Sequence, residues 1–178
     1  MVYGDSLSAA YGIDINQGWV SLLQQKMQKT NPDWQVVNVS ISGETTAGGL
    51  SRLKTTLDKY KPDLMLLELG ANDGLRGTSL KSTQQNLEKM IAMAQANQVK
   101  TVLFEMQIPP NYGPLYTRKF TQIFQELGKT YNLKVVPFFL EGVAGNSDLN
   151  QPDGIHPTAQ AQPKLLENVW IILQPLLD

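Results

Sequence analysis

The sequence predicts an α/β fold in which one parallel β-sheet is covered by helices on both faces. Short β-like runs alternate with longer stretches in which apolar residues recur at helical spacing. No repeat, low-complexity segment or linker interrupts that alternation. The length of 178 residues, with 42% hydrophobic and 17% charged residues, suits one globular domain with a sizeable core. We therefore expect residues 1–178 to form a single domain.

Five short runs are predicted as strands, and the helical stretches between them favour parallel pairing. They cover residues 1–3, 35–39, 64–69, 101–105 and 134–137. Strand-like residues are already in place at Val2, and a first strand is usually longer than the few residues present here. We therefore expect the natural N-terminus to extend further, with a leader ahead of it.

Four amphipathic stripes are predicted as helices that pack against the sheet. The first contains Leu50, Leu53, Leu57 and Tyr60, and the second Leu80, Leu87, Met90, Ile91 and Ala94. The third contains Phe120, Ile123, Phe124 and Leu127, and the fourth Leu165, Leu166, Val169, Trp170 and Leu173. Packing on a sheet explains such stripes better than a cofactor site or a partner-binding face.

Polar, glycine-containing segments follow the strands, and the last of them lies further along the chain. They cover residues 4–6, 40–44, 70–74 and 153–156. Ligands of open α/β sheets bind beyond the carboxyl ends of the strands. We therefore expect these four distant segments to meet at one rim of the sheet and to form the functional site.

The single histidine, His156, is the candidate base of this site. Asp153 precedes it by three residues in a glycine-containing turn, so its carboxylate can fix the imidazole tautomer and stabilise the imidazolium. Taken alone, Asp153 fits a turn or helix-capping role better. Ser6 follows the first strand and becomes a nucleophile only if a base lies beside it. A parallel sheet could bring Ser6 and His156 together.

Acyl transfer also needs hydrogen-bond donors that face the developing oxyanion. Gly43 could offer its backbone N–H, because glycine allows a ligand to approach the chain closely. Asn72 could offer its side-chain amide. Each residue alone would fit an ordinary turn role. Asp5 and Asp73 are interpreted as supports for these loops.

Four blocks of the chain resemble those of the GDSL, or SGNH, hydrolase family, in the family's order and spacing. They are G-D-S-L-S at 4–8, S-G-E-T at 42–45, G-A-N-D at 70–73 and D-G-I-H-P at 153–157. The resemblance runs the length of the chain. It is closest to the bacterial arylesterase group that includes the multifunctional acyl-CoA thioesterase and lysophospholipase, whose loops residues 72–77, 108–113 and 161–163 resemble.

The resemblance implies a three-layer α/β/α sandwich similar to flavodoxin, with a central sheet of about five strands. It implies a triad of Ser6, Asp153 and His156, and an oxyanion hole made by the Ser6 and Gly43 amides and the Asn72 side chain. The implied activity is hydrolysis of small-molecule esters or thioesters through an acyl-enzyme on Ser6. Aryl esters, short to medium acyl esters, acyl-CoA and lysophospholipid are the implied substrates.

Two rim loops are predicted to flank the acyl chain, because both follow strands and mix apolar residues with turn formers. Their candidate substrate-binding residues are Leu75, Ile108, Pro110 and Tyr112. For Tyr112 simple loop packing is an equally good explanation.

Composition and motifs exclude several other classes. Cysteine is absent, which excludes disulfides and thiolate sites, and a single histidine excludes a histidine-rich metal site, so we expect no metal. Neither dinucleotide nor P-loop glycine fingerprints occur, so we expect no cofactor. A net charge of -1 gives no indication of nucleic-acid binding. No apolar run is long enough for stable membrane insertion. We expect a monomer.

Two alternatives stay open beside the lipid or aryl esterase. Some relatives deacetylate sugars, and the triad does not separate a carbohydrate O-acetyl esterase from an esterase of lipids. A catalytically silent, flavodoxin-like ligand-binding module is the alternative of a different class. Members of the group work in the periplasm or are secreted. This chain shows no signal-peptide pattern, so a cytoplasmic location also stays open.

Overall fold

The centre of the computed structural model, which describes residues 1–177, is a sheet of four parallel strands. The strands are β1 (Val2–Gly4), β2 (Leu64–Glu68), β3 (Lys100–Phe104) and β4 (Lys134–Val136), and they lie side by side in that order. All five residues of β2 are buried, as expected for a central strand covered on both faces.

Residues 35–39, predicted as a strand, run along the outer edge of β1 without forming one. The Val2 N–H donates to the Val37 carbonyl at 2.7 Å, and the Val39 N–H donates to the Val2 carbonyl at 3.0 Å. These bonds leave one isolated parallel bridge, between Val2 and Asn38. The sheet thus has four strands where about five were predicted, because the three residues of β1 offer too short a ladder. The edge segment still occupies the place of the second strand in a flavodoxin-like order.

Across residues 1–177, six α-helices flank the sheet. They are α1 (Trp19–Thr30), α2 (Thr46–Tyr60), α3 (Ala71–Leu75), α4 (Leu80–Ala96), α5 (Pro114–Thr130) and α6 (Gln162–Leu173). Helix α1 packs against α6, while α4 packs against both α2 and α5. The two groups of helices cover the two faces of the sheet and complete a three-layer α/β/α sandwich.

The predicted helical stripes form much of the core. The four stripe residues of α5 are buried, as are the last four of α4. Tyr60 differs from the prediction, since 38% of its surface is exposed. It is the last residue of α2, and Lys61 turns the chain away with a φ of 42°. The Tyr60 ring instead lies under the Lys59 ammonium, which is 4.8 Å from the ring centroid.

An aromatic cluster anchors α1 to the sheet. Trp19 begins α1 and is fully buried against Phe104 of β3 and Phe139, with ring centroids 5.9 and 5.5 Å away. Burying such a side chain contributes about 1.5–3 kcal/mol to stability. The anchor fixes the end of the long turn that joins β1 to α1, which carries Ser6. No helix within residues 1–177 combines the length and the apolar character needed to cross a membrane.

Candidate active site

Ser6 lies in the turn that begins directly after β1, at the carboxyl edge of the sheet. The Ala9 N–H donates to the Asp5 carbonyl at 3.0 Å, and the Tyr11 N–H donates to the Ser6 carbonyl at 3.2 Å. These bonds close the turn around the serine. Only 8% of the Ser6 surface is exposed. The hydroxyl is therefore held in a largely water-excluded position.

His156 comes from the loop between β4 and α6 and meets Ser6 across 150 residues of sequence. Its Nε2 lies 2.8 Å from the Ser6 Oγ, and its Nδ1 lies 2.6 Å from an oxygen of Asp153. With the Nδ1 proton donated to the carboxylate, Nε2 accepts the hydroxyl proton of Ser6. The geometry is that of a hydroxyl, a base and an orienting carboxylate.

The Asp153 carboxylate is held ionised by several hydrogen bonds. Its second oxygen accepts the backbone N–H groups of His156 at 3.0 Å and Ile155 at 2.9 Å. The backbone and side-chain hydrogen bonds from His156 lower the pKa of Asp153 to about 2. Asp153 therefore stays charged throughout the neutral range and fixes the imidazole orientation there.

Two backbone amides of the rim loops have no acceptor within the described residues. Within residues 1–177, neither the Ser6 N–H nor the Gly43 N–H donates to a protein acceptor. Gly43 has a φ of +79°, a conformation that glycine adopts without strain. The Arg76 guanidinium donates to the Gly43 carbonyl at 3.2 Å and so holds the peptide between Gly43 and Glu44. Both amides are free to serve an incoming oxyanion.

Asn72 begins α3 together with Ala71, at the carboxyl end of β2, and joins two of the rim loops. Its side-chain Nδ2 donates to an oxygen of Asp5 and to the Glu44 carbonyl, both at 3.0 Å. These two bonds fix the amide between the Ser6 turn and the Gly43 loop. Because both amide hydrogens have protein acceptors, a bond from Asn72 to an oxyanion requires one hydrogen to be shared.

Buried acids lie beneath the nucleophile turn. Asp5 accepts the Leu7 N–H at 3.0 Å, and Glu68 at the end of β2 accepts the Ser8 hydroxyl at 2.7 Å and the Asp5 N–H at 3.2 Å. Burial raises the pKa of Asp5 to about 6, and burial together with the Asp5 charge raises the pKa of Glu68 well above its usual range. Sequence reasoning named Asp5 as a support but missed Glu68, whose signal was an acidic residue ending an apolar strand.

Asp73 supports the loop at residues 40–44, which leads into α2, as the sequence predicted. Its carboxylate accepts both the backbone N–H of Thr46 at 2.8 Å and the Thr46 hydroxyl at 2.6 Å. Thr46 is the first residue of α2, so the contact ties the start of that helix to the segment after β2.

Among residues 1–177, no group of three metal-ligating side chains comes together.

The predicted substrate loops lie next to each other. The Tyr112 hydroxyl donates to the Leu75 carbonyl at 3.0 Å, while Ile108 is buried beside Gly74. Ile108 and Pro110 line an open groove of about 560 Å³. Its other lining residues are Gln107, Thr117, Arg118, Thr121, Gln122 and Gln125. Leu75 and Tyr112 do not line this groove, and neither do Ser6 and His156.

Known proteins resemble this chain along its whole length. Esterase TesA of Pseudomonas aeruginosa is 51% identical over 99% of this chain and 88% of its own. Thioesterase 1/protease 1/lysophospholipase L1 of Escherichia coli K12 is 38% identical over 100% of this chain and 84% of its own. The psychrotrophic esterase EstA from a Pseudoalteromonas species, solved with monoethylphosphonate as inhibitor, superimposes with a TM-score of 0.94 at 44% identity, covering 99% of this chain and 96% of that one.

The GDSL-like lipase/acylhydrolase family matches residues 2–162, which include Ser6, Gly43, Asn72, Asp153 and His156. The match thus spans the four strands and every loop that carries these side chains. The fold agrees with that of the solved esterase. The chain therefore belongs to the GDSL-like lipase/acylhydrolase family.

Proposed function

We propose that this serine hydrolase cleaves carboxylic esters or thioesters through an acyl-enzyme formed on Ser6. The observation that carries the proposal is the 2.8 Å contact between the Ser6 Oγ and the His156 Nε2, with Asp153 on the other ring nitrogen. His156 takes the hydroxyl proton as Oγ attacks the carbonyl carbon. The tetrahedral oxyanion accepts hydrogen bonds from the unused Ser6 and Gly43 amides and from the Asn72 side chain.

Collapse of the tetrahedral intermediate breaks the bond to the leaving group. His156 returns the proton to the leaving alcohol or thiol, and the acyl group stays on the Ser6 oxygen. Water then attacks the acyl-enzyme, with His156 again as the base. The second collapse releases the carboxylic acid and restores the Ser6 hydroxyl.

We infer that the acyl chain of the substrate lies along Leu75, Ile108, Pro110 and Tyr112. Support comes from the bond between Tyr112 and Leu75 and from the apolar character of these side chains. The names of the relatives, an esterase and a thioesterase/lysophospholipase, favour aryl esters, acyl-CoA and lysophospholipids as substrates. We further propose that residues 1–178 act as one domain and as a monomer, in the periplasm or outside the cell.

A fluorophosphonate probe tests the covalent step. The wild-type protein should be labelled once, and Ser6→Ala should abolish both labelling and hydrolysis of p-nitrophenyl esters. Ser51→Ala removes an exposed serine of α2, whose hydroxyl donates to the Gly48 carbonyl at 2.7 Å, and should leave both unchanged. Labelling that persists in Ser6→Ala would contradict the proposal. A panel of p-nitrophenyl esters, acyl-CoAs, lysophospholipids and acetylated sugars then ranks the substrate classes.

A further inference from the structure

Gln151 closes the turn that carries the base. It lies five residues before His156, in the loop between β4 and α6. Its backbone N–H donates to the His156 carbonyl at 2.7 Å, and its carbonyl accepts the Gly154 N–H at 2.8 Å. The backbone of Gln151 therefore holds both Gly154 and His156 of the Asp153–His156 turn.

The side chain of Gln151 reaches from that turn to the nucleophile loop. Its Nε2 donates to the Tyr11 carbonyl at 2.8 Å and to the Pro157 carbonyl at 3.1 Å. Tyr11 belongs to the turn of Ser6, because its own N–H donates to the Ser6 carbonyl. One amide group thus holds the backbone on both sides of the contact between Ser6 and His156.

The nucleophile loop is shaped to receive this amide. A Cβ at Gly12 would collide with the Gln151 Oε1, so any other residue there would displace the side chain. Gly12 also has a φ of +74°, which favours glycine. The Tyr11 ring lies over the imidazole of His156, with 4.5 Å between ring centroids and planes tilted by 40°. Gln151 therefore fixes the backbone of the residue that covers the base.

Other bonds between the two loops are few. Both residues 5–17 and residues 145–158 lie in the described part of the chain. Between them the structure has two hydrogen bonds, the contact of Ser6 with His156 and the bond from Gln151 to Tyr11. Within these two ranges, Gln151 is therefore the one side chain outside the Ser6–His156 pair that forms a hydrogen bond between the loops.

We propose that Gln151 is a positioning residue, which holds the imidazole of His156 in line with the Ser6 hydroxyl by bonding the backbone of both loops. The inference rests on the proposed triad. Gln151 does not touch the reacting atoms, so its removal affects the alignment of the base and not the chemistry itself. A misplacement of about 1 Å at a catalytic group can cost on the order of 10²-fold in rate.

Gln151→Met tests the proposal, because methionine keeps the length of the side chain and removes both donated bonds. We expect kcat to fall about 10- to 100-fold with KM little changed, and fluorophosphonate labelling of Ser6 to slow by the same factor. Asn168→Ala is the matched control. It also deletes a side-chain amide that bonds two backbone carbonyls, those of Phe139 and Glu141, but it does so away from His156. The control should lose stability without losing kcat.

The outcomes separate this inference from the proposed triad. If Ser6→Ala is inactive while Gln151→Met matches Asn168→Ala in kcat and labelling rate, the role of Gln151 is wrong and the triad stands. If Ser6→Ala retains activity, the triad is wrong and the inference is lost with it. If Gln151→Met does not fold, Gln151→Glu carries the same expectation, because an ionised carboxylate of the same length donates no hydrogen bond.

Discussion

At the residue scale, the ionised Asp153 decides how the imidazole of His156 is used. Three hydrogen bonds, two of them from backbone amides, stabilise the carboxylate and lower its pKa to about 2. A fixed negative charge beside Nδ1 keeps the proton on that nitrogen and leaves Nε2 for Ser6. We therefore expect a loss of activity between neutral pH and pH 3 to come from a group other than Asp153.

Asn72 is the residue whose contribution to the transition state can be measured most simply. Removing one oxyanion donor costs roughly 10²–10³ in kcat in a well-studied serine protease. We expect Asn72→Ala to lower kcat by this order with a smaller effect on KM, because the bond to the oxyanion forms only in the transition state.

Asn97→Ala serves as the control for this change. The Asn97 amide donates to the Met93 carbonyl at the end of α4, on an exposed surface. Both variants should be compared by steady-state kinetics and thermal unfolding, because Asn72 also joins Asp5 to the Glu44 loop. An Asn72→Ala enzyme with normal kcat would assign this residue to loop structure alone.

Residue types and spacing were enough to identify Ser6, Asp153 and His156 as candidates, since one histidine leaves one choice of imidazole. Glu68 and Gln151 were missed for a physical reason. Their partners are backbone groups distant in sequence, 63 residues away for Glu68 and Asp5 and 140 residues away for Gln151 and Tyr11. Such pairings depend on tertiary packing and leave no local pattern.

At the element scale, the carboxyl ends of β1 and β2 are joined by the buried acids Asp5 and Glu68. Glu68 is fully buried, Asp5 is 1% exposed, and the imidazole of His156 is the nearby group that can become positive. Burial disfavours the charged form of both acids. The turn of Ser6 therefore rests on groups whose ionisation opposes folding.

This arrangement predicts how stability depends on pH. The pKa of Asp5 is raised on folding from an ordinary 3.8 to about 6, so the folded state binds the proton more tightly than the unfolded chain. The free energy of unfolding should then fall as pH rises from about 4 through 6, with each such proton contributing a slope of at most about 1.4 kcal/mol per pH unit. Glu68 contributes a fall of the same sign, because burial and the Asp5 charge raise its pKa well above its usual range.

Urea unfolding between pH 5 and 8 measures that slope. Glu68→Gln removes one titrating group whose folded-state pKa is raised, so its slope should be shallower than that of the wild type. Glu126→Gln changes an exposed glutamate of α5 and should leave the slope as it is. Equal slopes in all three proteins would show that ionisation of Glu68 does not oppose folding.

The loops after β2 and β3 carry the residues proposed to bind the acyl chain. Changes in them should alter which acyl-chain length the enzyme prefers. Removing apolar contacts from a pocket changes discrimination by about 1–3 kcal/mol per methylene. We expect Leu75→Ala to shift the ranking of acetyl against long-chain p-nitrophenyl esters about tenfold or more, while Ser6 labelling persists. Ile171→Ala, at a residue of α6 that is 71% exposed, is the control. A uniform change across acyl lengths would place the acyl chain elsewhere.

Amphipathic periodicity predicted α2, α4, α5 and α6 because burial of a stripe follows directly from helical geometry. The structure of residues 35–39 was harder to predict, because their apolar residues are typical of a strand although they form none. Whether such a run completes a ladder depends on its neighbour, and β1 offers three residues. Strand length at a sheet edge is thus a property of the pair and not of one segment.

At the scale of the whole molecule, the parallel sheet explains why the site is assembled from distant segments. All strands end at the same rim, so the turn after β1, the loop at 40–44, α3 after β2 and the loop before α6 meet there. Hydrogen bonds from Asn72 and from Gln151 then join those segments in pairs. The meeting of these segments at one rim was predictable from strand–helix alternation. The hydrogen bonds that hold the segments together were not.

The central claim, that His156 activates Ser6, is tested most directly by the titration of the single imidazole. Because the chain has one histidine, its ring signals in an NMR spectrum belong to His156 without further assignment. A general base must be neutral to accept a proton, so activity should be present above the titration midpoint and lost as pH falls through it. We predict that the acid limb of kcat/KM has the same midpoint as the NMR titration of the free enzyme, under conditions where chemistry limits kcat/KM and the fold is intact. Midpoints that differ well beyond experimental error would contradict the assignment of His156 as the base and the triad built on it.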